Sequence, residues 1–206
     1  MGASFEVLLI HEGKSQAADC RIDLLPMGAI SMADWLCRQG HPTEIVHAPI
    51  ERALDPSFEL AAAARDAGAA WLCFDLHWHQ QSHSVIEAAR ACRASCPDGR
   101  IVLGGYTASA FAEEILEQFD FVDYVVRGDG EFALSALVEA VAAGTPLETV
   151  PNLTYRSGTT PIRSNAQHVN DAADLGRFSF SRFDRLRHHR YYTQAGVMEG
   201  QLRLSE

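Results

Sequence analysis

Short runs of apolar residues recur along the first 143 residues of the chain, and each run has the length of a buried strand. The runs occupy residues 5–10, 43–48, 70–74, 100–103 and 123–127. The intervals between them carry apolar residues at three- and four-residue spacing, the period of amphipathic helices. These helical segments are residues 28–39, 58–67, 82–96, 109–118 and 131–143. The alternation of strand and helix predicts a parallel sheet with helices on both faces.

The predicted fold class is α/β: a flavodoxin-like (Rossmann-like), doubly wound, five-stranded parallel sheet with strand order 2-1-3-4-5. After Pro151 two short extended segments flank a Ser157-Gly158 turn, which predicts an appended β-hairpin. Residues 171–206 are basic and aromatic and form a C-terminal extension. We therefore divide the chain into a sheet domain at residues 1–150, a hairpin at 151–170 and a linker or docking tail at 171–206. A solvated end is the alternative for the tail.

Composition limits the possible function classes. The chain has 206 residues, of which 47% are apolar, and its formal net charge of −10 argues against nucleic-acid binding. We find no signal-peptide pattern and no run of roughly 20 apolar residues that could span a membrane, so we expect a cytoplasmic protein. The five cysteines are odd in number and lie mostly within predicted core elements. A disulfide framework is therefore disfavoured.

Right-handed crossovers bring the loops after the parallel strands to one edge of the sheet. Gly104 and Gly105 end the fourth strand, and glycines at this position allow a ligand to approach the backbone. The loop after the third strand, residues 75–84, is rich in ionisable, polar and aromatic side chains. The other loops at this edge are HEGKSQ at residues 11–16 and GDGE at residues 128–131. We expect a ligand site here; the alternative is that Trp78 packs internally and the histidines are solvated.

Two other functions would use the same residues. A zinc or iron site would take its ligands from the loop after the third strand, namely Asp75, His77, His79 and His83. A receiver-like signalling or scaffold module without cofactor would use Asp75 as phosphate acceptor and Glu12 as a magnesium ligand. The fourth strand, however, ends in glycine rather than in a hydroxyl residue. Glycine-rich or Walker-type phosphate motifs do not follow the first strand, so the glycine-lined edge predicts a large planar cofactor.

Three stretches of the sequence together resemble a known family. They are PMGAISMADWLCRQGHPTEIVHAP at residues 26–49, RIVLGGYTASAFAEEILEQFDFVDYVVRGDGEFALSALVEA at residues 100–140 and PNLTYRSG at residues 151–158. This combination of a strand ending in GG, an EEIL helix, a VRGDGE turn and an NLTYRSG hairpin resembles the cobalamin-binding N-terminal domain of cobalamin-dependent radical S-adenosylmethionine (SAM) enzymes. The resemblance covers roughly residues 5–163.

The resemblance implies a set of residues around cobalamin (B12). The loops after strands three, four and five would contact the corrin and the nucleotide tail, through Asp75, His77, Trp78, His79, Ser82, Gly104, Gly105, Tyr106, Gly128, Asp129, Gly130 and Glu131. The D-x-H-x-x-G loop that supplies an axial histidine in methionine-synthase-type domains is not present after the first strand. The cofactor is therefore expected to bind base-off, with no protein ligand to cobalt or with one from His11, His77 or His79.

The same resemblance implies a role for this domain. It would carry methylcobalamin or hydroxocobalamin for methyl transfer by a radical SAM enzyme. The C-x3-C-x2-C loop that holds the iron–sulfur cluster in such enzymes is absent from the sequence, since Cys92 and Cys96 fall within a predicted helix. SAM and the cluster are therefore expected only in a partner subunit or a missing domain, and the chain alone is not expected to be catalytic.

Overall fold

A computed structural model describes residues 5–13, 26–158 and 162–190 of the chain. The described residues form one seven-stranded sheet in the order β2-β1-β3-β4-β5-β6-β7. The strands are β1 (Val7–His11), β2 (Thr43–His47), β3 (Trp71–Asp75), β4 (Arg100–Gly104), β5 (Tyr124–Val126), β6 (Leu153–Tyr155) and β7 (Arg163–Ser164). The first five strands are parallel, and β6 and β7 are antiparallel. The predicted α/β fold, with its order 2-1-3-4-5 and its appended hairpin, is confirmed.

The helices of the described residues are α1 (Met27–Arg38), α2 (Ala48–Leu54), α3 (Leu60–Ala67), α4 (Ser82–Ser95), α5 (Tyr106–Ala110), α6 (Ala112–Gln118), α7 (Glu131–Ala143) and α8 (Ala172–Leu175). Helices α1 and α7 pack on one face of the sheet, and α3 to α6 pack on the other. None of the described helices is both long and apolar enough to cross a bilayer.

Alternation along each parallel strand assigns its side chains to these two faces. In β1, Val7 and Leu9 belong to the α1/α7 core, whereas Leu8 and Ile10 belong to the α3–α6 core. Because both faces are covered, the strands read as continuous apolar runs. The next residue, His11, continues the alternation toward α1 and α7, and this places the first polar side chain of the strand at its carboxyl end.

Two helical details differ from the prediction. Residues 109–118 were predicted to form a single helix, but the structure divides this region into α5 and α6 at Phe111, whose φ of −122° and ψ of 32° lie outside the helical region. Helix α5 also begins earlier than predicted, directly after Gly105. Helix α2 was not predicted, because it is short and follows β2 immediately, with Pro49 in its first turn.

The C-terminal extension folds back onto the sheet as far as the structure describes it. Leu186 is only 1% exposed and forms an isolated parallel bridge with Ile45 of the edge strand β2. The backbone N–H of Arg187 donates to the Ile45 carbonyl at 3.0 Å, and its guanidinium pairs with Glu44 at 2.5 Å. Residues 186–187 are thus docked on β2, whereas most of residues 171–185 are exposed or half-buried, and residues 191–206 and the hairpin residues 159–161 lie outside the described residues. The division at residues 150 and 170 stays a prediction.

Candidate functional site

Three polar side chains form a row across the carboxyl ends of neighbouring strands. His11 of β1 is in register with His47 of β2, and their rings meet edge to face with centroids 4.7 Å apart. On the other side, His11 Nδ1 is hydrogen-bonded to Oδ2 of Asp75, the last residue of β3. The alternation of the strands places this row on the α1/α7 side of the sheet. The two histidines are enclosed, with His11 9% and His47 1% exposed, whereas the Asp75 side chain is 34% exposed.

The row continues into a gap at the end of β4. Gly104 is in register with Asp75, so a side chain there would lie next to the Asp75 carboxylate. A Cβ atom on Gly104 would meet only the Val126 carbonyl oxygen, at the ordinary contact distance of 3.6 Å. The backbone at Gly104 is therefore approachable on the α1/α7 side.

Gly105 has a different role from Gly104. Its φ is +98°, and a Cβ atom there would lie 2.9 Å from both the carbonyl carbon and the oxygen of Leu76. The Leu76 N–H donates to the Gly104 carbonyl at 2.7 Å, and the Leu76 carbonyl accepts from Thr107 N at 3.1 Å and Ala108 N at 3.2 Å. Gly105 thus lets the start of α5 pack directly against the backbone of the loop after β3.

Two carboxylates at this edge each leave one oxygen without a partner. Glu12 Oε1 accepts from Arg52 at 2.7 Å, while its Oε2 is buried and accepts no hydrogen bond. Asp75 uses Oδ2 for His11, and its Oδ1 is likewise buried and unpaired. Burial raises the pKa of Glu12 above its ordinary value, against the lowering effect of Arg52. The edge therefore holds two hydrogen-bond acceptors that the described chain does not satisfy.

Gln81 connects the first and third loops and was not singled out as a site residue from the sequence. Its side chain is fully buried; Nε2 donates to the Gly13 carbonyl at 2.7 Å, and Oε1 accepts from Trp78 N at 3.0 Å. Residues 14–16 of the predicted first loop lie outside the described residues. The only sequence signal for Gln81 was its place in a polar loop, which it shares with several surface residues.

An aromatic groove lies on the opposite side of the edge, between the loop after β3 and helix α5. It encloses about 350 Å³ and is lined by His77, Trp78, His79, Tyr106, Thr107, Ala110 and Phe111. The ring of His77 meets Trp78 at 4.9 Å and Tyr106 at 5.6 Å, both edge to face. Trp78 is 45% and Tyr106 is 78% exposed, so these rings face solvent rather than the core. The groove is an apolar surface at the same edge as the polar row.

The loop after β5 is tied to the rest of the edge through hydrogen bonds. Ser109 Oγ donates to the Gly105 carbonyl at 2.7 Å and accepts from Gly128 N at 2.8 Å, linking the two glycine turns. The Asp129 carboxylate accepts from Asn170 N at 2.7 Å, and Glu131 accepts from Ser31 at 3.0 Å. A Cβ atom on Gly130 would meet the flexible end of Met32. Ser82 is the first residue of α4, beside the first and third loops.

The structure does not favour the two alternative functions. Among the described residues, no group of three or more His, Cys, Asp or Glu side chains is arranged to hold a metal ion, and His77, His79 and His83 are exposed. For a receiver-like site, Glu12 would have to bind magnesium, but the Arg52 guanidinium already stands beside its carboxylate. A receiver-like site would also need a lysine at the end of β5, where this chain has Arg127 and Gly128.

Comparison with known proteins agrees with the resemblance noted in the sequence. Residues 16–138 match the B12 binding domain family, which is more than half of the chain. The hopanoid C-3 methylase of Methylococcus capsulatus is 26% identical over 157 residues, covering 76% of this chain and 30% of the methylase. This chain thus spans about a third of that relative's length.

Solved structures of two enzymes share the fold. The radical SAM methyltransferase TsrM of Kitasatospora setae, with cobalamin and a [4Fe-4S] cluster bound, aligns with a TM-score of 0.64 and 17% identity, over 84% of this chain and 30% of that one. The cobalamin-dependent SAM radical enzyme OxsB, with aqua-cobalamin and SAM bound, aligns with a TM-score of 0.66 and 13% identity, over 80% and 22% of the two chains. With the polar row, the gap at Gly104 and the family match together, the chain belongs to the B12 binding domain family.

Proposed function

We propose that this chain is a cobalamin-binding module of a radical SAM enzyme, with methyl transfer as the reaction that it serves. The single observation that carries the proposal is the carboxyl edge of the sheet, which combines buried unsatisfied acceptors, an approachable glycine and, on its other side, exposed aromatic rings. The family match supports cobalamin as the ligand. The methyl-transfer role rests on the names of the relatives, a methylase and a methyltransferase, and methylcobalamin and hydroxocobalamin are the forms that we propose for it.

The residues at this edge fit the chemistry of a corrinoid. A corrin is a broad, largely apolar macrocycle with primary carboxamides at its periphery, so it needs both apolar contact surface and hydrogen-bond acceptors. Trp78 and Tyr106 offer exposed ring surface, and Glu12 Oε2 and Asp75 Oδ1 offer acceptors. Gly104 leaves space beside Asp75 that any larger side chain would occupy.

Each part of the edge has a role in this proposal. Gly104, Gly128 and Gly130 would lie along the nucleotide tail, and His77, Trp78, His79, Ser82 and Tyr106 would contact the corrin. Gly105, Asp129 and Glu131 would act by positioning these loops, since their contacts are made within the chain. When bound, cobalamin supplies the cobalt centre that accepts and donates a methyl group. The protein would orient the macrocycle and exclude water from it.

We infer that cobalamin binds base-off, either without a protein ligand or with His11, His77 or His79 as ligand. His77 and His79 lie on the exposed groove, whereas His11 is enclosed and bonded to Asp75. Absorption bands of bound cobalamin in a His77→Ala/His79→Ala variant and in a His11→Ala variant separate these cases, because only loss of a true ligand changes the cobalt spectrum.

The catalytic half belongs to the proposal as well. This chain covers 30% of TsrM and of the methylase, and its cysteines do not form a C-x3-C-x2-C loop. We place SAM and the iron–sulfur cluster in a radical SAM domain or subunit that works together with this module. Residues 171–190, which pack on α1 and β2, would lead toward that part.

Retention of cobalamin tests the proposal. The purified chain is mixed with hydroxocobalamin or methylcobalamin, desalted and examined by absorption spectroscopy, and we expect stoichiometric retention with a base-off spectrum. Gly104→Leu should weaken binding at least about tenfold because its side chain would fill the gap beside Asp75. Gly158→Leu is the matched control, since Gly158 has open space around it and lies in the hairpin away from the edge. A chain that loses all cobalamin on desalting would refute the function.

A further inference from the structure

The unpaired oxygens of Glu12 and Asp75 require a donor from outside the described chain. Glu12 follows β1, its side chain is only 8% exposed, and its Oε2 accepts no hydrogen bond. Asp75 ends the neighbouring strand β3; its side chain is 34% exposed, but its Oδ1 atom is buried and accepts no hydrogen bond. An unsatisfied buried acceptor destabilises the folded state, so these two oxygens at one edge of the sheet indicate a ligand that brings hydrogen-bond donors.

The charges around these oxygens define the kind of donor. Each carboxylate already has a cationic or protonatable partner, Arg52 for Glu12 and His11 for Asp75. A second full positive charge is therefore not needed to balance them. A metal ion would require further ligands, and the described residues hold no group of three metal-binding side chains. A neutral N–H or O–H donor satisfies the free lone pairs without adding charge.

From this geometry we propose that Glu12 and Asp75 recognise neutral hydrogen-bond donors of the bound corrinoid, its peripheral carboxamides, and thereby select against corrinoids that carry carboxylates at those positions. This inference rests on the proposed cobalamin binding. A primary amide offers N–H donors where a carboxylic acid at neutral pH offers only acceptors and a negative charge. A carboxylate facing Glu12 or Asp75 would meet like charge within an enclosed site.

Arg52 and His11 fix the orientation of the two carboxylates. Because Arg52 holds Oε1 of Glu12 and His11 holds Oδ2 of Asp75, each carboxylate is fixed with one defined oxygen left for the ligand. Such fixed acceptors discriminate more sharply than mobile ones, since they cannot turn away from an unfavourable group. Ribose hydroxyls of the nucleotide tail are also neutral donors, and the experiment must separate them from the carboxamides.

The test compares corrinoids that differ in one peripheral group. Cobalamin is compared with its b-, d- and e-monocarboxylic acids, each of which has one carboxamide hydrolysed, by spectroscopic titration of the full chain. We expect at least one acid to bind about 10–100-fold more weakly than cobalamin. Asp75→Asn or Glu12→Gln should restore most of that loss, because the neutral amide can donate to the acid. Asp66→Asn, which changes the net charge equally at a 73%-exposed position on α3, should restore none.

Cobinamide separates the two sources of donor. It keeps the carboxamides and lacks the nucleotide, so carboxamide recognition predicts that Asp75→Asn and Glu12→Gln alter cobinamide and cobalamin affinity by the same factor. An effect seen with cobalamin alone would assign the acceptors to the ribose hydroxyls and overturn the carboxamide inference. Retention of cobalamin without discrimination among the acids would also overturn it, while leaving the cobalamin function intact. Absence of cobalamin binding would overturn both.

Folding controls accompany these variants. Far-ultraviolet circular dichroism checks that each variant is folded before titration. Because the two carboxylates are independent probes, the test can be carried out with either Asp75→Asn or Glu12→Gln if the other variant does not fold. A change in affinity for every corrinoid by one common factor, with the preference for amides unchanged, would indicate a structural role for the carboxylates and would contradict the inference.

Discussion

Replacing each glycine of the Gly104-Gly105 pair by alanine separates the packing role from the ligand role. In Gly105→Ala, the new Cβ would lie 2.9 Å from the Leu76 backbone, well inside the roughly 3.5–4.0 Å at which carbon atoms pack. Alanine at the positive φ of +98° costs about 1–2 kcal/mol, and forcing the loop apart costs about 1–3 kcal/mol more. We expect the free energy of unfolding to fall by about 3 kcal/mol.

Gly104→Ala is the internal control for this measurement. Its Cβ would meet only the Val126 carbonyl oxygen, at 3.6 Å, and its φ is not positive. Removing backbone freedom from the unfolded chain should then leave stability unchanged or raise it by about 0.4–1 kcal/mol.

Urea denaturation followed by circular dichroism measures both variants. With an m value of roughly 2 kcal/mol/M, the Gly105→Ala midpoint should fall by about 1.5 M, and the Gly104→Ala midpoint should not fall. Equal midpoints for the two variants would refute the claim that Leu76 fixes Gly105. A large fall for Gly104→Ala would refute the claim that the space beside Asp75 is open.

Three further predictions address other parts of the structure. Gln81→Leu removes the hydrogen bond to the Gly13 carbonyl, which joins the first and third loops, and the one from Trp78 N within the third loop. It should destabilise the chain by about 2 kcal/mol in the same urea assay, and an unchanged midpoint would contradict the bridging role. Burial raises the pKa of Cys92 to about 12, so its thiol should resist a disulfide reagent at pH 8 until urea unfolds the chain. The thiol ionises at lower pH in the unfolded chain than in the folded one, so the free energy of unfolding that this raised pKa contributes is fully present below about pH 8.5 and is lost at higher pH. Rapid labelling of the native protein at pH 8 would contradict the burial of Cys92. Leu186→Ala should weaken docking of the C-terminal segment by about 2–5 kcal/mol and speed tryptic cleavage after Arg185 and Arg187, while equal cleavage rates would show that the segment is not held by Leu186.

The parallel sheet could be predicted from the sequence because its strands are buried on both faces. Each of the five apolar runs became a strand, shifted by one or two residues, and the helices between them kept their apolar period. The hairpin followed from a change of pattern after Pro151. Helix α2 escaped prediction because its few residues leave no room for a helical period to show.

The candidate site was predictable as an edge but not as a set of contacts. Nothing in the letters GG distinguishes Gly104 from Gly105; the difference arises from the positive φ of Gly105 and from the Leu76 backbone, which approaches from another strand. Gln81 and Glu12 likewise gain their roles from partners distant in sequence, Gly13 for Gln81 and Arg52 for Glu12. Leu186 gave no signal because the basic and aromatic segment around it shows neither a helical nor a strand period.

The contact between residues 186–187 and β2 has a practical consequence for handling this protein. β2 is an edge strand, and an uncovered edge can pair with the same edge of another molecule. Here Leu186 and Arg187 cover that edge, with one backbone hydrogen bond to Ile45 and an ion pair to Glu44. Shortened versions that end before Leu186 would expose β2 and should self-associate, so a fragment that includes residue 190 is the better choice for expression and crystallisation.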